Sequence, residues 1–287
     1  MKRPDYLTEE AIKEFIRSAL AEDIGEGDHS TLATIPSNKI SKAKLFVKAD
    51  GIIAGVELAE KIFKEIDPSL QITFFKKDAE MMTKGDIAFE VHGIAQSILS
   101  GERLVLNCMQ RMSGIATYTH RLSKLIEGTG AQLMDTRKTT PNFRLMEKWA
   151  VVIGGGRNHR FALYDMIMLK DNHIDVAGGI TAAVTNAVKY LKEKNKKLKI
   201  EVETRNLNEV KEALATHTVD VIMLDNMGLD EMREAVKLIN GKCKSEASGG
   251  ITESTLRSVA ECGVDYISMG ALTHSAKSLD LSLKIIE

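Results

Sequence analysis

Residues 132–269 repeat one pattern: a short apolar run ending in polar residues, then a stretch with helical periodicity. Strand candidates lie at 132–135, 165–170, 199–203, 220–225, 244–247 and 265–269. Helical patterns lie between them at 143–152, 180–193, 207–215, 229–239 and 253–262. This alternation leaves few folds open. Parallel strands need a long crossover, and a helix supplies it in a right-handed sense. Apolar strands with polar tips predict an α/β chain whose second part is a β/α barrel, with its chemistry at the strand C-termini. Six strands fall short of eight, so an open, incomplete barrel is expected.

The first part of the chain has a different texture. Thr8 reads as a helix N-cap before Ile12, Phe15, Ile16, Ala19 and Leu20, which recur at helical spacing. Residues 23–36 are rich in Gly, Asp, Ser and Thr and read as a loop. Ala43, Leu45, Val47 and Ala49 alternate, which predicts a strand over 42–49. A turn is expected at 51–55, a helix at 56–66, strands at 72–76 and 87–91, and two long helices at 94–112 and 117–128.

Composition excludes several function classes. The 39 Lys and Arg residues are balanced by 40 Asp and Glu, for a net charge of −1. No global field favours nucleic acid or a membrane surface, so any positive field is local. Three scattered cysteines, Cys108, Cys243 and Cys262, form no Cys-x-x-Cys pair. They argue for a reducing compartment and against a disulfide framework or a structural zinc. The N-terminal stretch carries charge where a signal peptide would carry an apolar core, and no apolar run reaches 18 residues. A cytoplasmic protein is expected.

The local field gathers between residues 135 and 173. Met134 leads into Asp135-Thr136-Arg137-Lys138, and Ile167-Met168-Leu169 leads into Lys170-Asp171-Asn172-His173. Between them lies Gly154-Gly155-Gly156-Arg157-Asn158-His159-Arg160, a glycine-rich loop without dinucleotide or P-loop spacing. Cations grouped at strand tips repel one another unless an anionic ligand offsets them. Arg144 and Lys148 fall on a helical pattern and read as part of a solvated face. Three acidic tips follow at Glu203, Asp225 and Glu246, with Glu201 on the same strand face as Glu203. Such carboxylates bind sugar hydroxyls or hydrated Mg²⁺, or simply offset the cations.

The last two strands end in Ser248-Gly249-Gly250 and Ser268-Met269-Gly270. Barrels hold phosphate in the loops after their final strands, where glycine lets the backbone come close. Among the remaining histidines, His29, His92, His120, His217 and His274 lack a partner at metal-ligand spacing. The residues alone describe a barrel enzyme for a phosphorylated anion, working by positioning and electrostatics. Phosphoribosyl transfer fits, with carboxylates steadying a cationic ribose and cations steadying departing pyrophosphate. Two other classes stay open: a non-catalytic binder of a phosphorylated anion, and a barrel isomerase or aldolase using Lys170 as a Schiff-base amine.

Four motifs resemble those of the quinolinate phosphoribosyltransferase family, in the family's order. They are Asp135-Thr136-Arg137-Lys138-Thr139-Thr140-Pro141, the loop 154–160, Leu169-Lys170-Asp171-Asn172-His173 and Glu246-Ala247-Ser248-Gly249-Gly250-Ile251-Thr252. The segments 22–28 and 101–117 are also similar to the family's N-terminal part. The resemblance implies an N-terminal α/β domain over 1–116, joined by 275–287, beside an open TIM-like barrel over 117–274. It implies a homodimer with a shared site, into which Arg103 reaches from the neighbour. It assigns quinolinate carboxylates and pyrophosphate to Arg137, Lys138, His159, Arg160 and Lys170, and a backbone contact to Thr136. It assigns ribose hydroxyls and Mg²⁺ to Glu203 and Asp225, and the 5-phosphate to Ser248, Gly249, Gly250, Ser268, Met269 and Gly270. Lys138, Lys170, Glu203 and Asp225 are the catalytic set on this reading. The chain departs from the family at Asn142, where glycine is usual, and at Arg205, which adds a cation near Glu203.

Overall fold

The structure, a computed structural model, describes residues 3–286. Its first elements are α1 (Glu9–Ile24), α2 (His29–Thr34), β1 (Ile40–Val47), β2 (Gly51–Ile52), α3 (Val56–Ile66), β3 (Gln71–Phe74), β4 (Met81–Met82), β5 (Ile87–Ile94) and α4 (Ala95–Leu125). Then come β6 (Gln132–Met134), α5 (Arg144–Ile153), β7 (Ile167–Leu169), α6 (Asp171–Ala177), α7 (Ile180–Glu193), β8 (Ile200–Thr204) and α8 (Leu207–Ala215). The last are β9 (Val221–Asp225), α9 (Leu229–Ile239), β10 (Lys244–Ser248), α10 (Glu253–Ala260), β11 (Tyr266–Ser268), α11 (Ala271–His274) and β12 (Leu281–Ile285). The chain forms two compact units. One holds the residues up to His120, Lys138–Gly155 and Ala271 onward; the other holds Arg121–Arg137 and Gly156–Gly270.

The first unit is built on an antiparallel sheet in the order β12-β1-β5-β3. Its central strand β1 buries Ala43, Leu45 and Val47 on one face, as the alternation requires. The C-terminal strand returns to this sheet, pairing Leu283 with Leu45. Helix α1 starts where Thr8 Oγ1 accepts the Ala11 amide. Helix α3 buries Leu58, Ile62 and Phe63. It has no side-chain cap of its own, and Asp78 accepts the Val56 and Glu57 amides instead. Burial pushes the Asp78 carboxyl above its usual range, against the pull of those amides.

Four local expectations are corrected here. The polar stretch 23–36 contains α2, because the Asp28 carboxylate accepts the Thr31 amide and starts a turn. The expected turn at 51–55 includes the two-residue strand β2, paired with β4. The two long helices are one, α4. Gly114 is there for close approach rather than a break, since a Cβ on it would meet Lys277 O at 2.1 Å. Lys148 is fully buried, not part of a solvated face. Asn142 adopts φ +60, so the left-handed turn survives the loss of glycine.

The second unit is a six-stranded parallel sheet in the order β6-β11-β10-β9-β8-β7. All six strands expected from the sequence are present, and β6 and β7 are its edges, so the barrel is not closed. Strand β8 is buried along its whole length, as a strand covered on both faces must be. The register places every strand C-terminus at the same end of the sheet.

Candidate active site

Each strand of the parallel sheet delivers polar groups at that end. After β6 come Asp135, Thr136 and Arg137; after β7 comes Lys170. Strand β8 carries Glu201 and Glu203, β9 ends on Asp225, and β10 carries Glu246 and Ser248. Strand β11 ends on Ser268, followed by Met269 and Gly270. The loop 156–160 joins them through a parallel bridge between Met134 and Arg157.

Asp135, fully buried, pins that loop. Its two oxygens accept the Asn158 Nδ2 amide at 2.6 Å and the His159 backbone amide at 2.9 Å. His159 then points its ring at two buried carboxylates. Nε2 lies 3.0 Å from Glu201 Oε2 and 3.4 Å from Glu246 Oε2. Burial disfavours a charged ring, and the two carboxylates pull its pKa the other way, upward. Nδ1 accepts the Arg160 amide at 2.8 Å, which a neutral ring with its one proton on Nε2 allows and a doubly protonated ring does not, so the Nε2 proton faces the carboxylates. Burial and the nearby Glu246 together raise the Glu201 carboxyl, against His159. The three ligand atoms lie within 4.8 Å of one another, a spacing a metal ion accepts. With Nδ1 occupied by an amide proton, the proton on Nε2 stands where the metal would bind, and the cluster is an internal hold on the ring instead.

Arg160 is held at Nη1 by the Met166 carbonyl, 3.2 Å away. Desolvation and the neighbouring Arg137 lower its pKa, with Glu201 pulling the other way. Two guanidiniums that repel in a partly dry mouth are a receptor for paired negative charge. Lys170 Nζ stands 3.5 Å from Glu203 Oε2. Burial raises the Glu203 carboxyl first, Lys170 opposes it, and the nearby Asp225 raises it further. Arg205, the expected extra cation beside Glu203, is bound instead by Glu209 and Asp175 on the exposed side.

The glycine loop after β10 is locked to Asp225. Asn226 Nδ2 donates to Asp225 Oδ2 at 2.7 Å, and the Asn226 amide donates to the Ser248 carbonyl at 2.9 Å. Gly249 has φ +89, and a Cβ there would fall 2.3 Å from Asn226 Oδ1. The left-handed φ and the adjacent Asn226 side chain leave room for glycine alone. Ser268 and Met269 are buried, and the Met269 amide donates to the Met134 carbonyl.

Thr136, Arg137, His159, Arg160, Lys170, Glu203, Asp225, Ser248, Gly249, Gly250, Ser268, Met269 and Gly270 thus share one end of the second unit. Arg103, exposed on α4, and Lys138, whose carbonyl accepts the Thr273 hydroxyl, belong to the first unit. The pairing of Glu201 and Glu246 across His159 was not legible in the sequence. Its one signal was a carboxylate inside an otherwise apolar strand.

An open β/α barrel that gathers arginines, a lysine and buried carboxylates at its strand tips defines an enzyme acting on polyanionic substrates. The chain belongs to the quinolinate phosphoribosyltransferase family. The family's C-terminal domain matches residues 115–284 and its N-terminal domain residues 28–113. The chloroplastic nicotinate-nucleotide pyrophosphorylase (carboxylating) of Oryza sativa subsp. japonica is 48% identical, over 96% of this chain and 77% of its own. A probable nicotinate-nucleotide pyrophosphorylase (carboxylating) of Bacillus subtilis is 43% identical, over 96% and 93%. The crystal structure of NadC from Streptococcus pyogenes superposes with a TM-score of 0.91 at 40% identity, covering 99% of this chain and all of that one.

Proposed function

We propose that this chain transfers the phosphoribosyl group of phosphoribosyl pyrophosphate to quinolinate, releasing pyrophosphate and CO₂ and forming nicotinate mononucleotide for NAD synthesis. The observation that carries the reading is the Arg137–Arg160 pair at the mouth of a family barrel, beside the acidic pair Glu203 and Asp225. Quinolinate brings two carboxylates, and two guanidiniums suit them.

The ring nitrogen of quinolinate attacks the anomeric carbon, and the bond to pyrophosphate breaks with its electron pair leaving on oxygen. The ring nitrogen is then cationic. The bond from C2 to its carboxylate breaks, CO₂ departs, and the electron pair stays on C2 beside the positive nitrogen until a proton replaces it. Arg137 and Arg160 hold the carboxylates, with Thr136 and His159 beside them. Lys170 and Lys138 receive pyrophosphate charge. Glu203 and Asp225 face the ribose, while the loops Ser248–Gly250 and Ser268–Gly270 line the place of the 5-phosphate.

Mg²⁺ is the cofactor of this reading. Glu203 and Asp225 stand on the neighbouring strands β8 and β9, and Asp225 raises the Glu203 carboxyl, a repulsion that a hard divalent cation would relieve. Held there by Glu203 and Asp225, it would supply charge neutralisation for the departing pyrophosphate. The working form is a homodimer in which Arg103 of a second copy completes the site, and the domains divide at 1–116 with 275–287 and at 117–274. Among the described residues no helix is long and apolar enough to cross a membrane. The free cysteines accord with a cytoplasmic setting.

The test supplies the purified protein with quinolinate, phosphoribosyl pyrophosphate and Mg²⁺, and follows CO₂ and nicotinate mononucleotide. Nicotinate in place of quinolinate is the control. Equal release of both products from quinolinate alone is expected. Binding of phosphoribosyl pyrophosphate without product would leave the phosphate cradle standing and remove the substrate.

A further inference from the structure

We infer that Glu201 and Glu246 are positioning residues: they hold the His159 ring, and the ring holds the Arg160 backbone where its guanidinium can receive a carboxylate. The inference rests on the quinolinate reading of the same site and assigns two residues that the reading leaves without a task.

Glu201 stands on β8 and Glu246 on β10, with β9 between them. Their carboxylates nevertheless converge on one atom, His159 Nε2. Both side chains are almost wholly buried, and neither Glu246 oxygen accepts a hydrogen bond. A carboxylate buried on those terms is costly unless its charge faces a fixed donor. The opposite ring nitrogen accepts the Arg160 amide, and Asp135 holds the two preceding residues. Residues 158–160 are therefore clamped from β6, β8 and β10 together. The clamp has a purpose at Arg160, which is half-buried and repelled by Arg137. Paired guanidiniums bind a dicarboxylate well only when their spacing is set in advance.

A rival role is purely electrostatic, in which the two carboxylates merely dilute the positive mouth. The two roles predict opposite results for two conservative substitutions. Glu246→Asp and Glu201→Asp keep the charge and withdraw the carboxylate from Nε2. Glu246→Gln and Glu201→Gln remove the charge and keep an acceptor in reach. Positioning predicts that the Asp variants raise the quinolinate KM about tenfold or more, with the phosphoribosyl pyrophosphate KM within about twofold. The Gln variants then keep a quinolinate KM within about threefold of wild type. An unchanged quinolinate KM in a folded Asp variant, or a lowered one in a Gln variant, overturns the inference.

A second measurement needs no substrate. Exchange of the Arg160 amide proton with solvent should be about tenfold faster in the Asp variants and unchanged in the Gln variants. Equal exchange in wild type and both Asp variants overturns the inference, whatever the protein turns over. Failure of wild type to consume quinolinate removes the functional reading alone, and the exchange rates still decide the clamp.

Discussion

Glu147 is wholly buried, and its Oε1 accepts from one edge of the Arg111 guanidinium, at 2.9 Å from Nε and 2.8 Å from Nη2. The same carboxylate accepts the Thr140 amide and hydroxyl, each at 3.0 Å. Arg111 in turn donates to the carbonyls of Thr273 and Ala276. Three distant stretches of the first unit, α4, the segment 138–155 and the C-terminal return, therefore meet at one ion pair.

Removing one partner of that pair leaves the other charge half-buried with its carbonyls. Glu147→Ala should cost about 3–5 kcal/mol of stability. Glu147→Gln, which keeps the acceptor for Thr140, should cost less. Urea unfolding at neutral pH measures both, and a loss under about 1 kcal/mol in the Ala variant would show that the pair holds nothing together.

Gly114→Ala should destabilise the protein by about 3 kcal/mol, because its Cβ meets a backbone carbonyl that has no rotamer by which to retreat. Gly228 is the control: a Cβ there meets nothing within 4 Å, and its φ is −65. Gly228→Ala should stay within about 0.5 kcal/mol of wild type. Thermal denaturation of the two variants side by side separates close approach from ordinary glycine entropy.

Asp265 joins β10 to β11 at the ends away from the site. It accepts the Ser245 amide and hydroxyl, and Lys244 Nζ at 2.6 Å. Partial burial raises its carboxyl, but Lys244 and Ser245 more than offset this and hold its pKa below the usual range. A folded-state pKa below the unfolded value of about 3.9 gives stability that is complete above that pH and is lost as pH falls through the folded value. Asp265→Asn should therefore melt lower than wild type at neutral pH, and the difference should close as pH is lowered below about 4. A melting-temperature gap that persists at low pH would contradict the assigned ion pair.

Arg137→Ala should raise the quinolinate KM by about 10–100-fold, the worth of a charge-assisted hydrogen bond. Arg103→Ala should also lose activity. If each site takes Arg103 from one protomer and Arg137 from the other, mixing the two variants at a quinolinate concentration where each alone is inactive regenerates about a quarter of wild-type activity through heterodimers with one intact site. No recovery after exchange of subunits would confine the site to one chain.

The strand–helix rhythm of residues 132–269 was legible because each strand is a closed apolar run and each helix has its own period. Helices α7, α8 and α9 lie at the bounds that the pattern sets. The cationic strand tips were legible for a related reason: charge at the end of an apolar run has nowhere to go but the mouth. Helix α2 was missed because its cap, Asp28, is drawn from the same residue types that make loops. The break expected within α4 was wrong because glycine serves two ends, flexibility and close approach. Only the position of Lys277 O, far along the chain, tells them apart.

Local sequence determined the order of elements, the open β/α barrel and the side of the sheet on which its chemistry sits, because periodicity and strand-tip polarity act over a few residues. Tertiary structure alone decided which charges face each other. It buried Lys148, turned Arg205 to Asp175 and Glu209, and closed Glu201 and Glu246 around His159. Apart from Arg205–Glu209, these pairings join residues 30 or more positions apart, and their energies depend on burial and separation. Neither quantity exists until the sheet has curled and brought its strands together.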